Sequence, residues 1–99
     1  MAFGGFVYII VNKHHTVFYV GVAASISSRI EQHRQKLFPM SFSAKYKTYK
    51  LVYYEFHETI EGAIAREKQI KKYSRFKKVR LIVPINPTWR DLYKDIQYL

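Results

Sequence analysis

The chain has 99 residues, of which 48% are hydrophobic and 17% aromatic, enough to build one packed core but not two. Seventeen Lys and Arg residues outweigh seven Asp and Glu residues, and the formal net charge of +10 favours a polyanionic partner such as nucleic acid over a membrane surface. The absence of cysteine excludes disulfides and thiolate metal sites, and no apolar run is long enough to span a bilayer.

The N-terminal residues lack the basic segment and cleavage site of a signal peptide, so we expect a cytoplasmic protein with a single domain over residues 1–99. Residues 6–12 and 16–22 are β-branched and aromatic runs, which predict an antiparallel hairpin around a polar segment. With the turn centred between Lys13 and His14, Tyr8 would lie directly opposite Tyr19, and their Cβ atoms would be about 5 Å apart. The hairpin therefore brings two phenols together on one face.

The remaining elements follow in a simple order. A first helix is predicted from about Ser25 to about Leu37, and it ends before Pro39. It is followed by a basic loop with interleaved aromatic residues over 39–50, a strand over 51–56, helices over about 59–73 and 74–82, and a last helix or helical turn over 89–96. This order predicts an α+β domain in which helices flank a small antiparallel three-stranded sheet, rather than a parallel βαβ fold.

Polar residues stand on the apolar sides of two predicted helices. Arg29 and His33 are i,i+4 neighbours and fall on the side of the first helix that carries Ile26. In the second helix, Glu67 falls among apolar residues, where a carboxylate is costly unless a cation, a metal or hydrogen bonds compensate it. These groups could therefore face a shared polar pocket that also holds the two tyrosines.

Structural explanations stay open for each of these residues. Arg29 and Glu67 could form a salt bridge with no chemical role, and His33 could be a core histidine bonded to a carbonyl. Tyr8 and Tyr19 could be ordinary cross-strand aromatic residues. Periodicity does not decide between these explanations and the polar pocket.

Motif order adds a resemblance to a known family. The triplets VYI at 7–9 and YVG at 19–21, followed by Arg29, His33, Glu67 and Asn86, resemble the GIY-YIG nuclease superfamily over nearly the whole chain. The stretches AIAREKQIKKY and NPTWRDLY are similar to its small stand-alone bacterial branch, and the superfamily includes the incision module of a bacterial excision-repair subunit.

Three positions depart from the family pattern. Val7 stands where the name-giving motif has glycine, and Val20 replaces an isoleucine. Val22 stands where some relatives carry a lysine, so one electrostatic helper is absent. Position 7 has no chemical role and the change at position 20 is conservative, whereas the missing lysine at position 22 affects the expected rate more than the expected type of reaction.

The resemblance implies a metal-dependent endonuclease that hydrolyses DNA phosphodiester bonds with low sequence specificity, in DNA repair or recombination. It assigns Glu67 as the ligand of a divalent cation, Mg²⁺ or Mn²⁺, and Arg29 as the contact to the scissile phosphate. It makes Asn86 a supporting polar residue near that phosphate. A protein partner is a further expectation, because the chain carries no recognisable DNA-targeting domain.

The same resemblance makes Tyr8 and Tyr19 the motif tyrosines, one of which deprotonates or positions the attacking water. An unperturbed phenol is a poor base at neutral pH, so either nearby cations lower its pKa or His33 accepts the proton in a relay. Either tyrosine could act as the base, and we favour Tyr8.

Basic residues of the loop and of the later helices are predicted to contact the nucleic-acid backbone. They are Lys45, Lys47, Lys50, Lys71, Lys72, Arg75, Lys77 and Lys78. Two other functions stay open: a catalytically weak nucleic-acid-binding module that keeps the fold, and a partner-docking domain whose charge serves only solubility.

Overall fold

The structure is a computed structural model that describes residues 4–35, 47–97 and 99. These residues form three strands and three α-helices, followed by a 3₁₀ helix over Tyr93–Ile96. The elements are β1 (Gly5–Val11), β2 (Phe18–Ala23), α1 (Ile26–Gln35), β3 (Lys50–His57), α2 (Ile60–Lys71) and α3 (Arg75–Ile82). The predicted order of strands and helices, and the α+β class, are confirmed.

The sheet is antiparallel with β1 at its centre, in the order β2-β1-β3. The predicted hairpin register is wrong by two residues, because Tyr8 pairs with Gly21 and Tyr19 pairs with Ile10. The loop between the strands is longer than a turn centred after Lys13 would make it. Asn12 stabilises that loop, since its Oδ1 accepts hydrogen bonds from the backbone N–H groups of the two residues preceding β2.

Side chains of β1 alternate between two cores, as the period of two along a strand requires. Val7, Ile9 and Val11 face the core that is completed by Ile70 of α2 and Ile82 of α3. Tyr8 and Ile10 face the other core, which is completed by Ile26 and Ile30 of α1, Leu51 of β3, and Leu92 and Ile96 near the C-terminus. The sheet is thus covered on both sides, and Tyr8 lies on the side of α1.

The C-terminal segment covers the outer edge of β3. The backbone N–H of Leu51 donates to the carboxylate of Asp91, and its carbonyl accepts from the backbone N–H of Leu92. A bulge leaves Val52 without a partner on β1, and the side chain of Asn86 donates to its carbonyl. These contacts satisfy polar groups that an open sheet edge would leave unpaired.

The helices follow the predicted boundaries closely. Thr59 caps α2 and Ser74 caps α3, each accepting a hydrogen bond from a backbone N–H in the first turn. Helix α1 begins at Ile26, one residue after its predicted start, while its predicted end at Leu37 lies outside the described residues. The last predicted helix is only the short 3₁₀ turn at Tyr93–Ile96.

Two further expectations concern the basic loop and the absence of a membrane-spanning segment. Most of the predicted basic loop over 39–50, including Lys45, lies outside the described residues. Within the described ranges, no helix is both long and apolar enough to cross a membrane.

Candidate active site

Tyr8 lies on the central strand, and its side chain is fully buried. Its phenol ring lies over Gly21, the residue opposite it on the edge strand β2. A Cβ atom on Gly21 would lie 2.9 Å from Cε2 of Tyr8 and closer still to its Cζ and Oη. The ring of Tyr8 therefore occupies space that is free only because Gly21 has no side chain.

The hydroxyl of Tyr8 lies between two polar groups of α1. Its oxygen is 3.0 Å from Nε2 of His33, and it accepts a hydrogen bond from the guanidinium of Arg29. Because Arg29 and His33 are i,i+4 neighbours, one face of the helix supplies both partners. Arg29 and His33, the polar residues on the apolar side of α1, thus both face the hydroxyl of Tyr8.

Burial and charge set the protonation states of this group. Burial raises the pKa of the Tyr8 phenol above its ordinary range, Tyr19 and Glu67 raise it further, and Arg29 acts in the opposite direction. Burial lowers the pKa of His33, and the positive charge of Arg29 lowers it further. At neutral pH the site therefore holds a protonated phenol beside a neutral imidazole.

Tyr19 completes a cluster of three rings. Its ring centroid lies 6.3 Å from that of Tyr8 and 5.5 Å from that of His33. Although the two tyrosines are not opposite each other, they are diagonal neighbours on one face of the hairpin. Tyr19 is only partly buried, so its side of the cluster opens towards solvent.

Glu67 of α2 supplies the negative charge of the site. Its side chain is only 14% exposed, and one carboxylate oxygen lies 3.3 Å from Nζ of Lys71. The negative charge of this carboxylate contributes to the raised pKa of Tyr8, so Glu67 lies within electrostatic reach of the phenol. Tyr19, Arg29 and His33 are therefore direct neighbours of the Tyr8 phenol, and Glu67 of α2 acts on it through its charge.

Comparison with known proteins identifies this arrangement. A family model described as the GIY-YIG catalytic domain matches residues 4–80, which include all five of these side chains. The chain belongs to the GIY-YIG family. Members of this family are nucleases, and the likeness seen in the two motifs is confirmed.

Similar proteins are small bacterial chains of about this length. A UPF0213 protein of Syntrophus aciditrophicus is 32% identical over 77 residues, covering 78% of this chain and 87% of that one. A UPF0213 protein of Staphylococcus aureus strain Mu3 is 38% identical over 81 residues, covering 78% and 92%. The solution NMR structure of a UPF0213 protein from Bacillus halodurans matches with a TM-score of 0.56 over 92% of this chain and 95% of that one; at 23% identity it shows a common fold.

The donor set of the GIY-YIG site suits a hard divalent cation held by few protein ligands. Among the described residues, no group of three or more acidic or histidine side chains is arranged to hold a metal ion. Glu67 is instead a single, largely buried carboxylate, and Mg²⁺ commonly takes one or two carboxylates and completes its shell with water and phosphate. The cation would replace Lys71 as the partner of this carboxylate.

Asn86 has different surroundings from the other predicted site residues. It is buried, and its Nδ2 donates to the carbonyls of Val52 and Arg90 while its Oδ1 accepts from the backbone N–H of Arg90. These bonds join the segment that follows α3 to the edge of β3. Its predicted position near a phosphate stays a prediction, and the contacts seen here are structural.

The predicted backbone-binding residues fall into groups with different surroundings. Lys47, Lys72 and Lys77 are exposed, whereas Lys50 is partly buried with its Nζ 3.1 Å from Nε2 of His15. Arg75 donates to the carbonyl of Thr16. Lys71 pairs with Glu67, and burial together with the charge of Arg75 lowers the pKa of Lys78. Lys45 lies outside the described residues.

One polar network beside the site was missed by the reasoning from sequence. The carboxylate of Glu55 on β3 accepts hydrogen bonds from Tyr53, from Nε2 of His57 at 2.7 Å and from Nε of Arg66 at 2.8 Å. Burial alone would raise the pKa of Glu55, but these three donors lower it; burial and the Glu55 carboxylate raise the pKa of Tyr53 to about 12. Because Arg66 directly precedes Glu67, the network fixes α2 against β3 at the residue before the metal-binding candidate.

A signal for this network was present in the strand pattern. Glu55 shares the inward-facing parity of Tyr53 on β3, so a carboxylate on that face needed a donor from the covering helix.

Proposed function

We propose that this chain is a divalent-metal-dependent endonuclease that hydrolyses DNA phosphodiester bonds with low sequence specificity. The observation that carries the proposal is the Tyr8 hydroxyl bonded to both Arg29 and His33, within the field of the Glu67 carboxylate. A structural core would not need four ionisable side chains around one phenol. The surplus of ten positive charges supplies the attraction for a polyanionic substrate.

Arg29 is the proposed contact to the scissile phosphate. The residue is exposed even though its guanidinium donates to Tyr8, so further N–H donors are available to a substrate oxygen. The planar fork of arginine matches the geometry of phosphate oxygens. Arg29 would thereby hold the phosphate next to the phenol.

Tyr8 and His33 form the proposed proton relay. Tyr8 takes a proton from the attacking water while its own hydroxyl proton moves to Nε2 of His33. The phenol then never carries a full negative charge, which its raised pKa would disfavour. The lowered pKa of His33 keeps the imidazole neutral and able to accept the proton.

Tyr19 and Glu67 have supporting roles in this scheme. Tyr19, on the more open side of the ring cluster, positions the water against Tyr8. Glu67 is the proposed ligand of Mg²⁺ or Mn²⁺. When bound, such a cation supplies stabilisation of the charge on the phosphate and on the leaving 3′ oxygen.

The substrate is proposed to be DNA that is bound through its backbone. The exposed lysines of the later helices, together with Lys45 and Lys47, would follow the phosphates and carry little sequence information. DNA structure or a partner protein would then direct the enzyme to its target, in repair or recombination.

The test is a plasmid-nicking assay with a matched pair of variants. Supercoiled plasmid is incubated with the protein in Mg²⁺, in Mn²⁺ or in chelator. We expect nicking with either metal and none in chelator. Glu67→Gln, which keeps the shape of the side chain, abolishes nicking, whereas Glu61→Gln on the exposed face of the same helix leaves it unchanged.

Other outcomes would reject the proposal. Equal nicking by the native protein and the Glu67→Gln variant would assign the activity to a contaminant. Salt-sensitive DNA binding without cleavage would favour the catalytically weak binding module instead.

A further inference from the structure

Phe76 is the most exposed of the large apolar side chains in the described part of the chain, at 69%. It is the second residue of α3, whereas Ile82 at the end of the same helix is fully buried. Single exposed apolar residues are common on protein surfaces, so the surroundings of the ring must decide whether it has a function.

The surroundings of Phe76 are strongly basic. Residues 71–80, KKYSRFKKVR, contain six Lys and Arg residues and no acidic residue. The guanidinium of Arg80 lies over the Phe76 ring at 5.8 Å from its centroid. Phe76 and the less exposed Val83, seven residues further along, still form too small an apolar area for a typical protein interface. An exposed ring among cations matches a nucleic-acid strand instead, because its phosphates pair with cations and its bases stack on aromatic rings.

The start of α3 is fixed close to the strand that carries Tyr19. Arg75, the neighbour of Phe76, donates to the carbonyl of Thr16 and lies 5.3 Å from the ring centroid of Phe18, the first residue of β2. On the other side, Lys71 at the end of α2 pairs with Glu67. A strand bound at the candidate active site could therefore extend along this basic segment to Phe76.

We propose that Phe76 stacks on an unpaired base of the bound nucleic acid, with Arg80 against the ring. In a continuous duplex both faces of each base are covered by neighbouring bases, so this contact needs an overhang, a flap or a bulge. The inference rests on the proposed nuclease function and deepens it. The enzyme would prefer DNA that carries unpaired nucleotides near the cleaved bond.

The test compares two probes that differ only in the stacking group. One is a fluorescein-labelled DNA duplex with a short thymine overhang, and the other has abasic residues in the same overhang. Binding is measured by fluorescence anisotropy in chelator, so that no probe is cleaved. We expect the native protein to bind the thymine probe about fivefold or more tightly than the abasic probe.

Substitutions then identify which side chain causes the preference for the thymine probe. Phe76→Ala removes the difference between the two probes, and Phe76→Tyr, which keeps a stacking ring, retains it. The matched control is Phe56→Ala, because Phe56 is also exposed, at 56%, but lies on β3 against Phe6; this variant keeps the preference. Lys77→Ala weakens binding to both probes alike and makes binding less sensitive to salt.

The outcomes separate this inference from the proposed function. If Phe76→Ala keeps the preference for thymine, or the native protein has none, the stacking contact is overturned, even where metal-dependent nicking is intact. If the preference depends on Phe76 and no nicking occurs, the contact stands and the proposed nuclease function is overturned. Binding of anionic vesicles or of a protein through Phe76, without a base preference, would also overturn it.

Discussion

The phenol of Tyr8 lies directly over the backbone of Gly21, its partner on the neighbouring strand. This relationship gives a physical meaning to the glycine of the second motif. Any side chain at position 21 would occupy the space of the ring that links β1 to Arg29 and His33. The glycine therefore serves the geometry of the site and not the conformation of the strand.

Gly21→Ala should disturb both stability and the site. The added methyl overlaps the Tyr8 ring, and overpacking of this kind costs about 2 kcal/mol in the free energy of unfolding. The displaced hydroxyl would lose its 3.0 Å contact with His33, so nicking should also fall. Urea denaturation and the plasmid assay measure the two effects.

A double-mutant cycle isolates the cause of the Gly21→Ala effect. In a Tyr8→Ala background the ring is gone, so adding Gly21→Ala should cost almost no further stability. An equal cost in both backgrounds would mean that the methyl clashes with something other than Tyr8.

His33 should titrate below its ordinary pKa of 6.5, because burial and the charge of Arg29 both disfavour the imidazolium. NMR titration of the ring protons, assigned with His33→Gln, measures this value. Arg29→Ala should raise the pKa of His33 by removing the nearby positive charge.

Arg34→Ala is the matched control for the His33 titration. Arg34 belongs to the same helix, but its guanidinium pairs with Asp91 near the C-terminus. The pKa of His33 should therefore not change in this variant. An imidazole that titrates above 6.5 in the native protein would contradict the neutral acceptor that the relay requires.

The placement of the two tyrosines was predictable despite the wrong register. An error of two residues leaves every side chain on its face, whereas an error of one would have moved Tyr19 to the opposite side of the sheet. The same robustness holds for α1, where a spacing of four residues is enough to align Arg29 with His33. The local periodicity of the sequence was therefore enough to predict on which face most of the site residues lie.

The contacts between distant elements were not predictable in this way. The pairing of Glu55 with Arg66 depends on how α2 is rotated against β3, and the bonds of Asn86 depend on a bulge at Val52. Neither is visible in a local pattern. Asn86 was accordingly grouped with the site by motif order, while its amide is bonded to backbone groups beside the sheet edge.

The Glu55 network should make stability depend on acid pH. A carboxylate whose pKa is lowered by folding stabilises the native state above its unfolded pKa, near 4.5, and loses this contribution as the pH falls through its folded pKa. Glu55→Gln should therefore cost about 2 kcal/mol at neutral pH and progressively less below pH 4.5. Urea denaturation across this range measures the difference.

Glu58→Gln is the control for Glu55→Gln. Glu58 is exposed and lies three residues along the chain, so its substitution should change the free energy of unfolding little at any pH. A Glu55→Gln cost that stays constant down to the lowest pH would show that packing, and not the charge, is responsible.

Asn86→Ala should lower the free energy of unfolding while leaving the nicking activity of the folded protein largely intact. The substitution removes three hydrogen bonds and leaves the carbonyl of Val52 buried without its donor, at a cost of about 3 kcal/mol in the free energy of unfolding. Asn12→Ala removes a similar set of side-chain amide hydrogen bonds in the exposed hairpin loop and should cost less, because water can replace them.

Nicking by the folded Asn86→Ala protein, measured well below its unfolding temperature, should persist. If nicking is instead lost while the unfolding temperature is unchanged, Asn86 contacts the phosphate as motif order predicts, and its backbone bonds are secondary.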